Sequence, residues 1–272
     1  MIVCIAGKNN IAINCLNYLI KNKELLKIKK IYSICNQDDN GYDNWQKSFR
    51  KFSNTNGIEI LELNDVININ DIFFISLEFD KIINIDSFKT NKLFNIHFSL
   101  LPKYRGCYTS IWPIINGEKY SGVTLHKIDK GIDTGSIIAH RRFDIGINNT
   151  ARDLYFKLIE QGSLLFYNNI GNILSHNYIS KEQNYLYSSY YSRNSIDFSI
   201  NDFDLNKTSF EIHNKFRAFI FQEYQLPVFR DHKIIKSIIL DQKINKKSVV
   251  EFDDYFEISG IDRYKIILKK LK

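Results

Sequence analysis

The chain has 272 residues, of which 44% are hydrophobic and 25% are charged, and its formal net charge is +7. This composition indicates a globular protein long enough for one large domain or two modest ones, rather than a disordered chain. No apolar run approaches the roughly 18 to 20 residues needed to cross a bilayer, so we expect no membrane segment. The basic charge favours an anionic partner only weakly, because lysine is abundant throughout the sequence.

The cysteines and the first residues bear on the compartment. Cys4, Cys15, Cys35 and Cys107 include no CxxC pair. The chain begins with the strand-like run MIVCIAG rather than with a charged and then apolar leader. We therefore expect reduced thiols in a cytoplasmic protein.

The first hundred residues alternate strand-like runs with segments of helical spacing. The predicted strands are 1–7, 27–35, 58–64, 71–77 and 93–99, and the predicted helices are 11–26 and a segment around Trp45, Phe49 and Phe52. This alternation predicts an α/β, Rossmann-like domain with a mainly parallel sheet, in which ligands bind at the carboxyl ends of the strands. Gly7 follows the first strand without a GxGxxG pattern, so a dinucleotide site is not supported.

The later segments predict the end of this domain and the start of another. A helix is expected over 108–119, a strand of alternating exposure over 120–129, a turn and strand over 131–145, and a helix over 150–172 capped by Asn149 or Thr150. In the expected strand of alternating exposure, Thr124, His126 and Lys127 are assigned to the exposed positions. After about residue 178, a helix over 208–221 and several short strand-like runs predict a smaller, mainly β C-terminal domain. The predicted domains are therefore 1–178 and 179–272.

Three polar residues could carry chemistry. Asn95 and His97 lie two apart at the end of a predicted strand, so both project from one face, and Asp133 lies in the Gly-flanked loop GIDTG. An amide, an imidazole and a carboxylate brought together would suit acyl transfer to an amine. The alternative is that the strand end only satisfies backbone groups and that Asp133 serves its turn. Spacing alone leaves both readings open.

A set of motifs resembles one family. The stretches FNIHFSLLPKYRG, WPIING and GVTLHKIDKGIDTG occur in order within residues 94–135. They resemble the catalytic domain of the 10-formyltetrahydrofolate-dependent formyltransferases, with Phe98 where many relatives have proline. The resemblance implies a Rossmann-like N-terminal domain, 10-formyltetrahydrofolate as the formyl donor, and Asn95, His97 and Asp133 as the catalytic residues.

The resemblance also implies a folate site. Its matching positions lie along residues 75–83 and 128–134, from which we take Phe79, Leu101, Ile128 and Ile132 as the expected cofactor contacts. No metal is expected, because no His/Cys cluster has ligand spacing. The other histidines are scattered and are expected to be structural or exposed: His126, His140, His176, His213 and His232.

The formyl acceptor is predicted from further stretches that resemble the sugar N-formyltransferases: GKNNIA, YRGCYTSIW, TLHKID, YYSR and FRAFIFQEYQLP. This branch implies a dTDP-linked amino-dideoxyhexose, and the nearest resemblance is to the enzymes acting on dTDP-4-amino-4,6-dideoxyglucose, with the 3-amino isomer left open. The expected substrate contacts are Lys8, Asn9, Trp112, Arg193, Arg217, Phe221 and Tyr224. Trp112 fits a helix anchor equally well.

Methionyl-tRNA formyltransferase is the alternative within the family. The tRNA enzymes carry a basic loop after the second strand, whereas this chain has NQDDNGYDNWQKSF there, with Asp38, Asp39 and Asp43 and no basic run. We therefore expect small-molecule substrates and no nucleic-acid partner. The resemblance further implies a homodimer formed through the C-terminal region and a product used in O-antigen or another surface glycan.

Overall fold

The structure, a computed structural model, describes residues 1–198 and 203–272. Its strands are β1 (Ile2–Gly7), β2 (Lys30–Cys35), β3 (Glu59–Ile60), β4 (Ile72–Leu77), β5 (Leu93–His97), β6 (Arg105–Gly106), β7 (Tyr120–Lys127), β8 (Ile137–Asp144), β9 (Tyr190–Tyr191), β10 (Val228–Phe229), β11 (His232–Lys243), β12 (Val249–Glu251), β13 (Tyr255–Ser259) and β14 (Tyr264–Lys270). Its α-helices are α1 (Asn9–Lys21), α2 (Phe49–Thr55), α3 (Leu63–Val66), α4 (Trp112–Ile115), α5 (Ala151–Leu174) and α6 (Ser209–Phe219). None of the helices in these two ranges is long and apolar enough to cross a membrane.

The chain divides into two compact units, each drawn from three segments. The first unit contains Met1–Gly106, Gly122–Arg142 and Leu158–Tyr190, and the second contains Cys107–Ser121, Phe143–Lys157 and Tyr191–Lys272. The domain boundary predicted near residue 178 falls inside the first unit. The second unit takes in two segments that precede that boundary.

The first unit is built on a seven-stranded sheet with the order β3-β2-β1-β4-β5-β7-β8. Strands β1 to β5 pair in parallel, whereas β7 runs antiparallel to β5. All six residues of β4 are buried, as expected for a central strand covered on both faces. The predicted α/β class with a mainly parallel sheet is therefore confirmed.

Strand β7 differs from its prediction. Residues 121–126 are all buried, and the side chains of Thr124 and His126 are 0% and 2% exposed. The expected alternation of exposure was wrong because both faces of β7 are buried, whereas alternation requires one face open to solvent. The helix predicted over 108–119 is also shorter and covers only Trp112–Ile115.

The second unit contains a five-stranded sheet with the order β10-β11-β14-β13-β12, antiparallel throughout. Helix α6 begins at a capping box in which Thr208 and Glu211 each satisfy the other's backbone N–H. Its apolar side chains Ile212 and Phe216 join a buried core with residues of the sheet. The smaller, mainly β unit predicted for the C-terminal part is confirmed.

His213 of α6 is fully buried in this second unit. Its Nδ1 lies 2.7 Å from the Ser237 hydroxyl oxygen, and its Nε2 lies 2.8 Å from the carbonyl oxygen of Ile147. Burial lowers the pKa of His213 to about 4, with a further lowering by the nearby Arg217 charge, although the Ile147 carbonyl opposes the shift. The imidazole is therefore neutral in the folded protein at neutral pH.

This burial predicts an acid-sensitive second unit. Between the unfolded pKa near 6.5 and the folded pKa of about 4, only the unfolded chain binds the proton, so the free energy of unfolding falls as the pH is lowered through this window. We expect a loss of roughly 2 to 3 kcal/mol from this histidine by pH 4. In His213→Gln the slope of unfolding free energy against pH should flatten, as measured by urea titration at several pH values.

The control is His140→Gln, which replaces an exposed histidine of the first unit. This variant should keep the wild-type slope. A His213→Gln slope equal to that of the wild type would contradict the assignment.

Candidate active site

Strand β5 places Asn95 and His97 on one face, at the carboxyl end of the parallel part of the sheet. Asn95 pairs with Ser76 of β4 on one side and with His126 of β7 on the other. His97 is the last residue of β5 and pairs with Thr124. The two-residue period of a strand therefore brings the amide and the imidazole to the same side.

The His97 ring lies between two acceptors. Its Nε2 is 2.7 Å from the carbonyl oxygen of Tyr104, to which an N–H at this position donates. Its Nδ1 faces the Asp133 carboxylate, with 3.4 Å between Nδ1 and Oδ2. Each ring nitrogen of His97 therefore has an oxygen acceptor beside it, which fixes the orientation of the ring.

Asp133 sits in the loop after β7, with a left-handed φ of 55°. Its Oδ2 accepts the Gly106 N–H at 2.9 Å, and its Oδ1 accepts an N–H of the Asn95 amide at 3.3 Å. Burial alone would raise the pKa of the Asp133 carboxyl, but the His97 ring, His126 and the Gly106 N–H hold this pKa well below its usual range. The carboxylate is therefore a fixed negative charge.

The close approach of this loop depends on Gly135. A Cβ added at Gly135 would lie 1.8 Å from the carbonyl oxygen of Lys127, so no larger residue fits without moving the backbone. This confirms the close approach expected of the Gly-flanked loop. The three residues Asn95, His97 and Asp133 are thus brought together.

His126 is a member of the site that sequence reasoning missed. It is buried, its Nδ1 lies 2.7 Å from the Lys127 carbonyl oxygen, and its Nε2 lies 3.1 Å from the Asn95 amide nitrogen. The same Nε2 is 3.6 Å from Asp133 Oδ1. The sequence alone groups His126 with the scattered histidines, because its place beside Asn95 depends on the antiparallel pairing of β5 and β7. The signal that could have found it is the TLHKID stretch within the family motif.

This arrangement can support acyl transfer. The Asn95 amide and the buried His97 imidazole lie 3.3 and 3.4 Å from the fixed carboxylate of Asp133, which favours charge stabilisation and proton transfer. In the described ranges, no group of three or more His, Cys, Asp or Glu side chains could hold a metal ion.

The comparisons with known proteins agree with this chemistry. A family described as formyl transferase matches residues 74–170. This chain is similar to WlaRD, a sugar 3N-formyl transferase whose crystal structure was determined in the presence of dTDP and 5-N-formyl-THF. The two sequences are 52% identical over 100% of this chain and 98% of that chain, and the TM-score is 0.96. The N-formyltransferase from Helicobacter canadensis, in complex with folinic acid and dTDP-3-aminofucose, is 50% identical over 100% of both chains, with a TM-score of 0.96. This chain belongs to the formyl transferase family.

Curated members of the formyl transferase family match less completely. The methionyl-tRNA formyltransferase of Clostridioides difficile is 33% identical over 178 residues, which are 64% of this chain and 57% of that protein. Among the first curated relatives that it matches, the chain spans between 14% and 64% of their length.

The residues expected to contact folate lie in the first unit. Phe79 and Ile128 are partly buried and pack against the core cluster that includes Phe74 and Leu93. Leu101 is 7% exposed, whereas Ile132, in the Asp133 loop, is 40% exposed. Of the four, Ile132 has the most side-chain surface available to a ligand.

Two of the expected substrate contacts also lie in the first unit. Lys8 Nζ forms an ion pair with Asp38 at 2.9 Å, and Asn9 begins α1 with a left-handed φ of 60°. The Lys8 pairing competes with the expected pyrophosphate contact.

The aromatic residues expected to contact substrate lie in the second unit. Trp112 stacks on Tyr191 with ring centroids 4.1 Å apart, and among the described residues its buried indole Nε1 has no hydrogen-bond partner. Phe221 is buried against Tyr155, whereas Tyr224 is 62% exposed and touches Phe221 with centroids 4.9 Å apart. Tyr224 and Trp112 are therefore better placed for base stacking than Phe221, which packs in the interior.

The two arginines expected to contact substrate have different surroundings. Arg217 is 2% exposed and donates to the carbonyl oxygens of Gly146 and Asn149 and to the Asn214 side chain, at 3.1, 2.8 and 2.9 Å. Burial lowers the pKa of Arg217 to about 10. These bonds favour a structural role over a pyrophosphate contact. Arg193 is exposed in a short 3-10 helix.

We expect large losses of turnover when the residues expected to be catalytic are replaced. Asn95→Ala, His97→Ala and Asp133→Asn should each lower kcat by about 100- to 10,000-fold, because each removes a charge or donor at the reacting centre. Turnover would be measured with the substrates proposed below, on variants whose circular dichroism and thermal midpoint show a folded protein. His140→Ala is the matched control, and a folded Asp133→Asn enzyme with near-normal kcat would refute the assignment.

The arginines should separate stability from substrate binding. Arg217→Met should lower the free energy of unfolding by about 2 to 4 kcal/mol, since it removes three hydrogen bonds of a buried side chain, but should leave the KM of the folded enzyme for its sugar nucleotide unchanged. Arg193→Met, the same change at an exposed position, should leave stability within about 0.5 kcal/mol. The reverse pattern, with KM raised and stability kept in Arg217→Met, would restore the pyrophosphate role.

Proposed function

We propose that this protein transfers the formyl group of 10-formyltetrahydrofolate to the amine of a dTDP-linked amino-dideoxyhexose. The observation that carries the proposal is the His97 ring held between the Tyr104 carbonyl and the buried Asp133 carboxylate, with the Asn95 amide beside it. A buried carboxylate and an imidazole held in this way suit the charge that develops when an amine attacks a formyl group.

The sugar nucleotide is proposed from the comparisons. The two solved structures that this chain matches at 50% and 52% identity over essentially their whole length hold dTDP or a dTDP-sugar, together with a formyl folate. The methionyl-tRNA formyltransferase is matched at 33% over little more than half of its length. The sugar nucleotide is therefore favoured over tRNA as the acceptor.

We propose that the amine is on the 3-position of the sugar. Of the two full-length relatives, one is described as a sugar 3N-formyl transferase and the other holds dTDP-3-aminofucose. This support moves the proposal away from the 4-amino-4,6-dideoxyglucose expected from the sequence, which becomes the second candidate.

The reaction forms one C–N bond and breaks another. The neutral sugar amine attacks the formyl carbon, and the tetrahedral intermediate collapses with cleavage of the bond to N10 of the folate. One proton leaves the amine and one proton reaches N10, so the transfer consumes no net acid or base. The Asn95 amide and the His97 imidazolium supply donors and positive charge for the oxyanion.

His97 gives a ring proton to N10 and takes up the proton of the attacking amine, so no proton rests on Asp133. Burial raises the pKa of the Asp133 carboxyl, but the His97 ring and the other contacts hold this pKa well below its usual range. The His97 ring makes the largest of these lowering contributions. A carboxylate of this kind is a poor proton store at neutral pH, but it stabilises a charged imidazole beside it. Asp133 is therefore the charge partner of His97.

The binding contacts follow from exposure. For folate we propose the Asp133 loop with Ile132, flanked by Leu101, Phe79 and Ile128. For the nucleotide we propose stacking on Tyr224 or on Trp112 and a phosphate contact from Arg193. The Trp112 indole N–H has no hydrogen-bond partner among the described residues, so it is available to an acceptor on the nucleotide. Asn9 and Lys8 remain predictions, and Phe221 and Arg217 are assigned to packing.

Three expectations stay predictions. A homodimer would be tested by sedimentation or gel filtration. The use of the product in O-antigen or another surface glycan would be tested by a search for the genes of that pathway. A cytoplasmic location is supported by four free thiols, of which Cys4, Cys15 and Cys35 are buried.

One assay with separate acceptors tests the identity of the formyl acceptor. Purified protein with 10-formyltetrahydrofolate would receive dTDP-3-amino-3,6-dideoxy sugar, dTDP-4-amino-4,6-dideoxyglucose or charged initiator tRNA in turn, and formylated product would be measured by mass spectrometry. We expect kcat/KM for the 3-amino sugar to exceed that for the 4-amino sugar by at least about 10-fold, because a pocket with fixed donors rejects a displaced amine.

Asp133→Asn protein serves as the control for uncatalysed formylation. A preference for the 4-amino sugar would select the second candidate. Formylation of tRNA with no reaction on either sugar would overturn the proposal.

A further inference from the structure

Gln183 in the first unit binds the loop that carries Asp133. Its side-chain Nε2 donates to the carbonyl oxygens of Asp133 and Gly135, each at 2.8 Å. Its Oε1 accepts from Arg105, at 3.2 Å from Nε and 2.7 Å from Nη2. The one amide thus makes four hydrogen bonds to two chain segments that are distant in sequence.

The Asp133 loop needs such support. Asp133 has a left-handed φ of 55°, a conformation that costs a non-glycine residue energy and persists only where surrounding contacts hold it. The direction of its carboxylate depends on this backbone. By binding the carbonyl groups of Asp133 and Gly135, Gln183 fixes the backbone that directly follows the Asp133 side chain.

Gln183 also holds the other side of the carboxylate. Arg105, which pairs with its Oε1, directly precedes Gly106, and the Gly106 N–H donates to Asp133 Oδ2 at 2.9 Å. The segments that carry the Gly106 donor and the Asp133 acceptor are therefore both bound by the Gln183 side chain. Loss of Gln183 would release both at once.

The segment that begins at Gln183 supports His97 as well. Ser189 accepts the Tyr104 N–H on its side-chain oxygen and the Arg105 N–H on its carbonyl oxygen, each at 2.8 Å. Tyr104, with a φ of 61°, is the residue whose carbonyl oxygen lies against His97 Nε2. Both acceptors that flank the His97 ring are thus held by residues 183–189.

We propose that Gln183 is a positioning residue that keeps the Asp133 carboxylate directed at His97 and Asn95. It contacts main-chain carbonyls and Arg105 and acts on the reaction only through Asp133. This inference rests on the proposed function for its kinetic test, and it also has a test that needs no substrate.

The kinetic test is a double-mutant cycle. Gln183→Met, which keeps the length of the side chain and removes all four hydrogen bonds, would be made in the wild type and in Asp133→Asn. We expect kcat to fall by about 10- to 100-fold in the wild-type background, with both KM values within about 3-fold, and by less than about 3-fold in the Asp133→Asn background. Equal losses in both backgrounds would show a merely structural role and overturn the inference.

Gln161→Met is the matched control. Gln161 also accepts from an arginine, with 3.1 Å between Arg141 Nε and its Oε1, but it does not contact the Asp133 loop in any hydrogen bond described for the chain. This variant should keep wild-type kcat in both backgrounds. If Gln183→Met does not fold, Gln183→Glu replaces it, because a carboxylate retains the Arg105 pairing and removes only the donors to the loop.

The substrate-free test is the Gly106 amide resonance in protein labelled with [¹⁵N]glycine. The wild-type resonance reports the hydrogen bond to Asp133, and Asp133→Asn gives the shift expected when the carboxylate charge is lost. We expect Gln183→Met to move the resonance in the same direction and Gln161→Met to leave it in place. An unmoved resonance in Gln183→Met would overturn the inference, whereas failure of wild-type transfer to any sugar nucleotide would sink only the proposed function.

Discussion

The buried negative charge of Asp133 is the constraint on which the rest of the site depends. A carboxylate with 12% of its side chain exposed has lost most of its water, and such a charge persists only with hydrogen bonds and opposite charge around it. The Gly106 N–H, the Asn95 amide and the His97 ring supply these contacts. Each of these contacts requires a loop or strand end at a fixed place. The positions of these loops and of the strand end are therefore linked to the one charge of Asp133.

The antiparallel strand β7 meets two of these requirements at once. Its His126 lies beside Asn95 and approaches Asp133, and two residues earlier its Thr124 hydroxyl donates to the Ser99 carbonyl and accepts the Leu101 N–H. The same strand therefore orients the Asn95 amide and fixes the loop that follows His97. The antiparallel β5–β7 pair thus places His126 and Thr124 beside the end of β5.

The sequence was sufficient for features that depend on local pattern. The strands of the parallel sheet, the cap of α5 by Thr150 through Asp153, and the trio of Asn95, His97 and Asp133 could all be predicted from periodicity, caps and motifs. His126 and Arg217 could not be placed in this way. The role of His126 depends on which strand pairs with β5 and in what direction, and that of Arg217 on carbonyls about seventy residues away. Neither relation is encoded in a window of neighbouring residues.

A fixed charge also limits what the chemistry can be. Because the pKa of the Asp133 carboxyl lies well below its usual range, this group keeps the same charge through the whole physiological pH range. The carboxylate cannot hold the proton that leaves the attacking amine, but it can stabilise positive charge on the ring beside it before any substrate arrives. Catalysis by such a site comes from charges and donors already in place, so its rate depends on how rigidly they are held. The four hydrogen bonds of Gln183, remote from any reacting atom, then matter for the same reason as the catalytic residues themselves.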